Sequence, residues 1–161
     1  MNAMEIKPPN APEILLGYTY IFLGGSIEMG TAEEWQSRLI KELSDEKFYF
    51  LNPRRDNWDS SWEQSIRNKM FKEQVVWELK NLEESDMAVI YFDPSTQSPI
   101  TLFELGLLIN MKKTIVYCPN GFWRKGNIEI ICERYDVVLV ETFEDLKEKI
   151  KKLAKSINEA Q

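Results

Sequence analysis

Histidine does not occur in this 161-residue sequence, and no other absence removes as much chemistry. Ser-His-Asp and Cys-His catalysis, histidine-ligated zinc and an imidazole general base are all ruled out. Any reaction therefore falls to carboxylates, hydroxyls, lysines or tyrosines. Cysteine is nearly absent too: Cys118 and Cys132 lie far apart in sequence, form no metal motif, and read as buried thiols of a reducing compartment. Basic excess is lacking, since the formal charge is −6, which argues against a nucleic acid polymer as partner. No apolar run is long enough to span a bilayer, and residues 1–12 are too polar and proline-rich for a secretory leader. No membrane partner and a cytoplasmic location are the expectation. The dinucleotide fingerprint and the P-loop lysine are missing, so NAD(P) and ATP chemistry have little support. There are no repeats and no low-complexity segments.

What is present points to one domain. The chain is 43% hydrophobic and rich in aromatics, with five Trp, six Tyr and eight Phe, enough to bury a core. Pro8, Pro9 and Pro12 mark residues 1–16 as a flexible or extended lead-in, and residues 17–161 as the folded domain. Short β-branched and aromatic runs predict strands at 18–23, 48–51, 87–92, 114–118 and 137–140. Between them, helical spacing predicts helices at 31–43, 62–84, 101–111, 128–133 and 144–158. Thr31 with Glu34, and Thr101 with Glu104, each fit a capping box. For 62–84 the apolar positions are Met70, Phe71, Val75, Leu79 and Leu82. Alternating strands and helices predict an α/β fold: a doubly wound, flavodoxin-like parallel sheet of about five strands in the order 2-1-3-4-5, with helices on both faces. That order brings Gly24-Gly25-Ser26 and the segment 98–104 to one crevice at the switch point.

Within that crevice Glu104 stands out as a carboxylate in an apolar run, Ile100-Thr101-Leu102-Phe103-Glu104-Leu105-Gly106-Leu107-Leu108. Burial raises a carboxyl pKa while a helix N-terminus favours the anion, a combination suited to a nucleophile or an acid/base. The competing assignment is the capping box with Thr101, and spacing alone leaves both open. Glu78 on the long helix is either a solvated charge or an acid near the apolar side. Asp86 suits backbone binding, and Asp93 is a turn initiator or a ligand acid. Trp58 and Trp62 belong to a loop able to cover the crevice and stack on a flat ligand.

Taken in order, four segments resemble the nucleoside 2-deoxyribosyltransferase family, in particular its deoxyribosyltransferase-like branch. They are Phe22-Leu23-Gly24-Gly25-Ser26, Gln74-Val75-Val76-Trp77-Glu78-Leu79 leading to Ser85-Asp86, Ile100-Thr101-Leu102-Phe103-Glu104-Leu105-Gly106, and Gly121-Phe122-Trp123-Arg124-Lys125-Gly126-Asn127-Ile128-Glu129-Ile130. The resemblance implies that Glu104 is the nucleophile that attacks the anomeric carbon of a 2-deoxyribose. It implies that Glu78 contacts the nucleobase and that Gly24, Gly25 and Ser26 line the pocket. Asn127 and Glu129 fall in the segment that a neighbouring subunit lends to the site, which implies at least a homodimer. Where the transferases usually carry an Asp six residues before the nucleophile, this chain has Ser98. A serine there resembles the related deoxynucleoside 5′-monophosphate N-glycosidases, in which that position contacts the phosphate.

The expected catalytic set is therefore Glu104, Glu78 and Asp93. The expected substrate-binding set is Gly24, Gly25, Ser26, Trp58, Ser98, Thr101, Asn127 and Glu129, with no metal and no cofactor. Partners are a nucleoside or nucleotide and a free nucleobase. The expected reaction is transfer of deoxyribose between bases through a covalent intermediate on Glu104. The alternatives are hydrolysis of a deoxynucleoside monophosphate or a nucleotide-binding sensor without turnover; NAD cleavage has least support.

Overall fold

The computed structural model describes residues 2–27, 34–111 and 113–160. Six parallel strands form one sheet: β1 (Met4–Ile6), β2 (Thr19–Gly25), β3 (Phe48–Leu51), β4 (Met87–Tyr91), β5 (Lys113–Tyr117) and β6 (Val138–Val140). The strand order is β1-β3-β2-β4-β5-β6. This corrects the expected count of five. Met4–Ile6, assigned from sequence to the lead-in, pairs with Tyr49–Leu51 at the sheet edge. The other five strands keep the relative order anticipated for them.

The core divides cleanly between the two faces, because a strand alternates its side chains. Ile21 and Leu23 of β2 point to one face, where Trp35, Leu39, Leu43, Phe143, Leu146, Ile150 and Ala154 cover them. These residues belong to α1 (Trp35–Glu42) and α5 (Phe143–Asn158) and to the chain just after α1. Phe22 points to the other face, against Trp77, Leu82, Leu105, Leu108, Ile128 and Cys132. Those side chains come from α2 (Lys69–Glu84), α3 (Pro99–Leu108) and α4 (Lys125–Arg134). Because β2 leads to β3 on one side and β4 leads to β5 on the other, the switch point lies between β2 and β4. Open α/β sheets bind ligands in that crevice.

The helix starts differ from expectation, α4 for instance beginning at Lys125 rather than near Ile128. Thr31 lies outside the described residues; α1 begins at Trp35 after Glu34, which makes no side-chain cap. The long helix starts at Lys69, not near Trp62, because the Asn68 side chain accepts hydrogen bonds from the backbone N–H groups of Met70 and Phe71. Its buried stripe also differs: Gln74, Trp77, Asn81 and Leu82 face inward, while Met70 is exposed. Finally, α3 begins at Pro99, so Thr101 is not its N-cap. Proline suits a first helical position, since its missing N–H would have had no partner there.

Candidate active site

Starting α3 at Pro99 removes the capping assignment of Glu104. The side chain sits well inside the helix, so the capping box does not form. Thr101, Glu104, Leu105 and Leu108 make the buried face of α3, and Glu104 is only 7% exposed. Its carboxyl lies over the end of β2: a Cβ added to Gly24 would be 3.1 Å from Glu104 Oε2 and 2.6 Å from Ile90 Cδ1. A side chain at that point would require Ile90 and the acid to shift. Gly25, one residue on, turns to the opposite face, where an added Cβ would meet Trp35 at 2.6 Å. Trp35 in turn stacks on Tyr91, with ring centroids 4.5 Å apart, and donates its indole N–H to Ser26 O at 3.3 Å.

Burial, with the neighbouring charge of Glu78 as the smaller cause, pushes the Glu104 carboxyl up to about 8. The helix dipole does not offset this, because its influence fades beyond the first turn. Glu78 is half-buried on α2, and desolvation raises its carboxyl as well; a hydrogen bond from Gln74 acts in the other direction. Gln74 Nε2 donates to Glu78 Oε1 at 2.7 Å and to Pro53 O at 2.8 Å. Two acids are thus held close enough to repel one another, and among the described residues no cation acts on either. Like-charged carboxyls in a dry site favour sharing a proton over double ionisation.

At the start of α3 lies a cluster of buried hydroxyls. Ser26 Oγ and Ser98 Oγ share a short hydrogen bond. Thr96 Oγ1 reaches Ser26 Oγ at 2.9 Å and Ser98 Oγ at 2.7 Å. The backbone N–H of Asp93 also donates to Ser26 Oγ, at 2.9 Å. Ser98 itself adopts a left-handed conformation, φ 49°, as the residue before α3. That is strained backbone for a non-glycine residue, of the kind that concentrates at functional sites.

The other expected residues are spread out. Asp93 Oδ1 accepts from Ser95 N–H at 2.8 Å and Ser95 O–H at 2.6 Å, closing its own turn. Asp86 accepts the Tyr20 backbone N–H at 2.7 Å, a structural contact. Trp58 is partly exposed and meets Trp62 edge-on, centroids 5.1 Å apart, with the Arg55 guanidinium 5.3 Å from the Trp62 ring. Asn127 and Glu129 are exposed on α4, Glu129 beside Lys125 at 3.7 Å. Two site residues escaped the sequence reading. Gln74 was signalled by its position one helical turn before Glu78. Thr96 carried no signal, since its partner Ser26 is 70 residues away. Among the described residues, no group of three or more Asp, Glu or Cys side chains is placed to hold a metal ion.

Residues 18–122 match the family described as "Nucleoside 2-deoxyribosyltransferase like". The chain belongs to this family. The match spans both acids, both glycines and the hydroxyl cluster. Among curated proteins no significant match is found. A solved structure, a conserved protein from Enterococcus faecalis V583, superimposes with a TM-score of 0.62 at 16% identity, covering 83% of this chain and 98% of that one. At that identity the likeness speaks to the fold alone. The matched region carries β2, β3, β4 and β5 and stops short of α4, β6 and α5.

Proposed function

We propose that this protein cleaves the N-glycosidic bond of a 2′-deoxynucleoside, with Glu104 as nucleophile, and transfers the sugar to another base. The observation that carries this reading is the placement of the Glu104 carboxyl over Gly24, at the end of β2, in a buried crevice shared with a second acid. Breaking the C–N bond passes through an oxocarbenium-like state, as in glycosides. The ionised Glu104 faces the electron-poor anomeric carbon and bonds to it as the bond electrons leave with the base nitrogen. Glu78 lies within reach of the same crevice to deliver or receive the proton of the departing base. A second base then attacks the same carbon and releases Glu104, so two inversions give net retention.

A second reading, hydrolysis of a deoxynucleoside 5′-monophosphate, is favoured by the hydroxyl cluster. Ser26, Thr96 and Ser98 offer three hydroxyls at the start of α3, where helix N–H groups favour an anion. The test is chromatography of products after incubation with a deoxynucleoside or its monophosphate, with and without a second free base. Transfer needs the second base; hydrolysis releases sugar or sugar phosphate without it. Absence of base release from either substrate would sink both readings and leave a nucleotide-binding protein. Glu104→Gln is expected to lower base release by at least about a thousandfold while the fold persists.

A further inference from the structure

Beyond Leu51, which pairs with Phe22, the chain reaches the carboxyl edge of the sheet beside the end of β2. There it places two arginines in succession, Arg54 and Arg55, with side chains 16% and 2% exposed. Each holds one carboxylate: Arg54 Nη1 donates to Glu34 Oε1 at 3.1 Å, and Arg55 Nη2 to Glu73 Oε1 at 3.0 Å. Arg54 Nε and Nη2 have no partner, and neither has Arg55 Nη1. On a guanidinium Nε and Nη2 share one edge, the fork that matches two oxygens of a phosphate or carboxylate. Glu34 engages a single nitrogen and leaves that fork unmet. Among the described residues, every buried side-chain polar atom without a partner lies on Gln36, Arg54, Arg55 or Gln74, four nitrogens against two amide oxygens. Contacts draw these residues to one corner: Gln74 Nε2 donates to Pro53 O at 2.8 Å, and Gln36 stands two residues beyond Glu34 on α1. Donors are in surplus there, and buried donors left unmet call for an acceptor. Glu34 also precedes α1, whose start has no side-chain cap, so the positive end of that helix adds to the corner. The Trp35 indole ties the helix start to Ser26 O at 3.3 Å, which sets the corner on the edge of the crevice. Access runs past Glu34, whose side chain is 71% exposed; an ion pair so open to water is weak and yields to a ligand with more oxygens.

We propose that Arg54, with Gln36 and the start of α1, binds a phosphate group on the β3 side of the crevice, displacing Glu34. The phosphate is either the 5′-phosphate of a deoxynucleotide or the free ion. The site goes beyond the reading of Glu104, because binding is measured without turnover and stands or falls apart from it. Titration calorimetry on the full chain would compare a deoxynucleoside 5′-monophosphate, the matching deoxynucleoside and inorganic phosphate. The monophosphate is expected to bind at least about tenfold tighter than the nucleoside. Arg54→Lys keeps the charge but lacks the fork, and should remove most of that gain. Glu34→Gln, on an exposed side chain, should tighten phosphate binding about threefold or more, since the competing carboxylate and its charge at the helix start are gone. Inorganic phosphate that binds, loses affinity in Arg54→Lys and brings no gain for the monophosphate would assign the site to the free ion. Two results would overturn the proposal: no binding that depends on phosphate, or a gain that survives Arg54→Lys, as it would if Ser26, Thr96 and Ser98 held the phosphate instead. If Arg54→Lys fails to fold, Glu34→Gln decides, and unchanged or weaker phosphate binding in that variant sinks the idea.

Discussion

Burial holds the Glu104 carboxyl near 8, so through the neutral range it is largely a neutral acid until a substrate's developing positive charge favours its ionisation. Two predictions follow from the sign of that shift. In the interval from 4.5 to about 8 the folded chain keeps a proton that the unfolded chain has released. Stability therefore falls as pH rises through that window, at up to about 1.4 kcal/mol per pH unit, and levels off above it. Glu104→Gln should flatten this dependence and unfold at a higher temperature than wild type at pH 8, as calorimetry at several pH values would show. Activity should run the other way, with kcat/KM rising toward pH 8 as the nucleophile ionises. Glu78→Gln removes the repelling charge, so the midpoint of that rise should move to lower pH. Glu104 was legible in the sequence because a lone carboxylate in an apolar helix is conspicuous. Gln74 was signalled only by standing one turn before Glu78, since an amide on a helix ordinarily faces water.

Among the elements, α2 carries most of what the sequence pattern obscured. Hydrophobic spacing pointed to Phe71, Val75 and Leu79, yet the inward stripe includes Gln74 and Asn81. Both are satisfied in part by local acceptors: Asn81 donates to Trp77 O at 2.8 Å, Gln74 to Pro53 O. Polar burial of this kind defeats a periodicity count, which scores only apolar residues. The helix start follows from Asn68, whose Oδ1 receives two backbone N–H groups. Asn68→Ala should cost about 1 kcal/mol in chemical denaturation. Because α2 presents both Gln74 and Glu78, the same change should lower activity more than it lowers stability. Strand β1 escaped notice because three residues between polar and proline-rich stretches give no alternation to detect. It is held in register by β3, and the chain beyond it by Trp77, whose indole N–H donates to Asn10 O at 2.6 Å.

For the molecule as a whole, the five predicted strands and both helical layers were legible, since β-branched runs and helical spacing alternate along the chain. The crevice was legible from topology alone. Its hydroxyl cluster was not, because the fold brings together residues that sequence keeps far apart. Burial pushes the thiols of Cys118 and Cys132 up to about 12 and about 11. Both should resist a thiol reagent at pH 8 in the folded protein and react once it is denatured, which mass spectrometry can count. If a second copy lends Asn127 and Glu129 to the crevice, mixing inactive Glu104→Gln with inactive Asn127→Ala should restore part of the activity; unchanged inactivity would place the whole site within one chain.

The back-to-back glycines carry a last consequence. At Gly24 the sheet presents bare peptide planes beneath the acid, while at Gly25 its reverse side is filled by indole. A methyl group at either position forces its neighbours to move: Gly24→Ala should destabilise the fold by about 1–3 kcal/mol and displace the carboxyl, visible as a lower Tm together with lost turnover. The space that a side chain at Gly24 would take is held by Ile90, Phe22 and the acid itself. In this chain, selectivity for one ligand over another falls to the rim, to the loops and helix faces around that point.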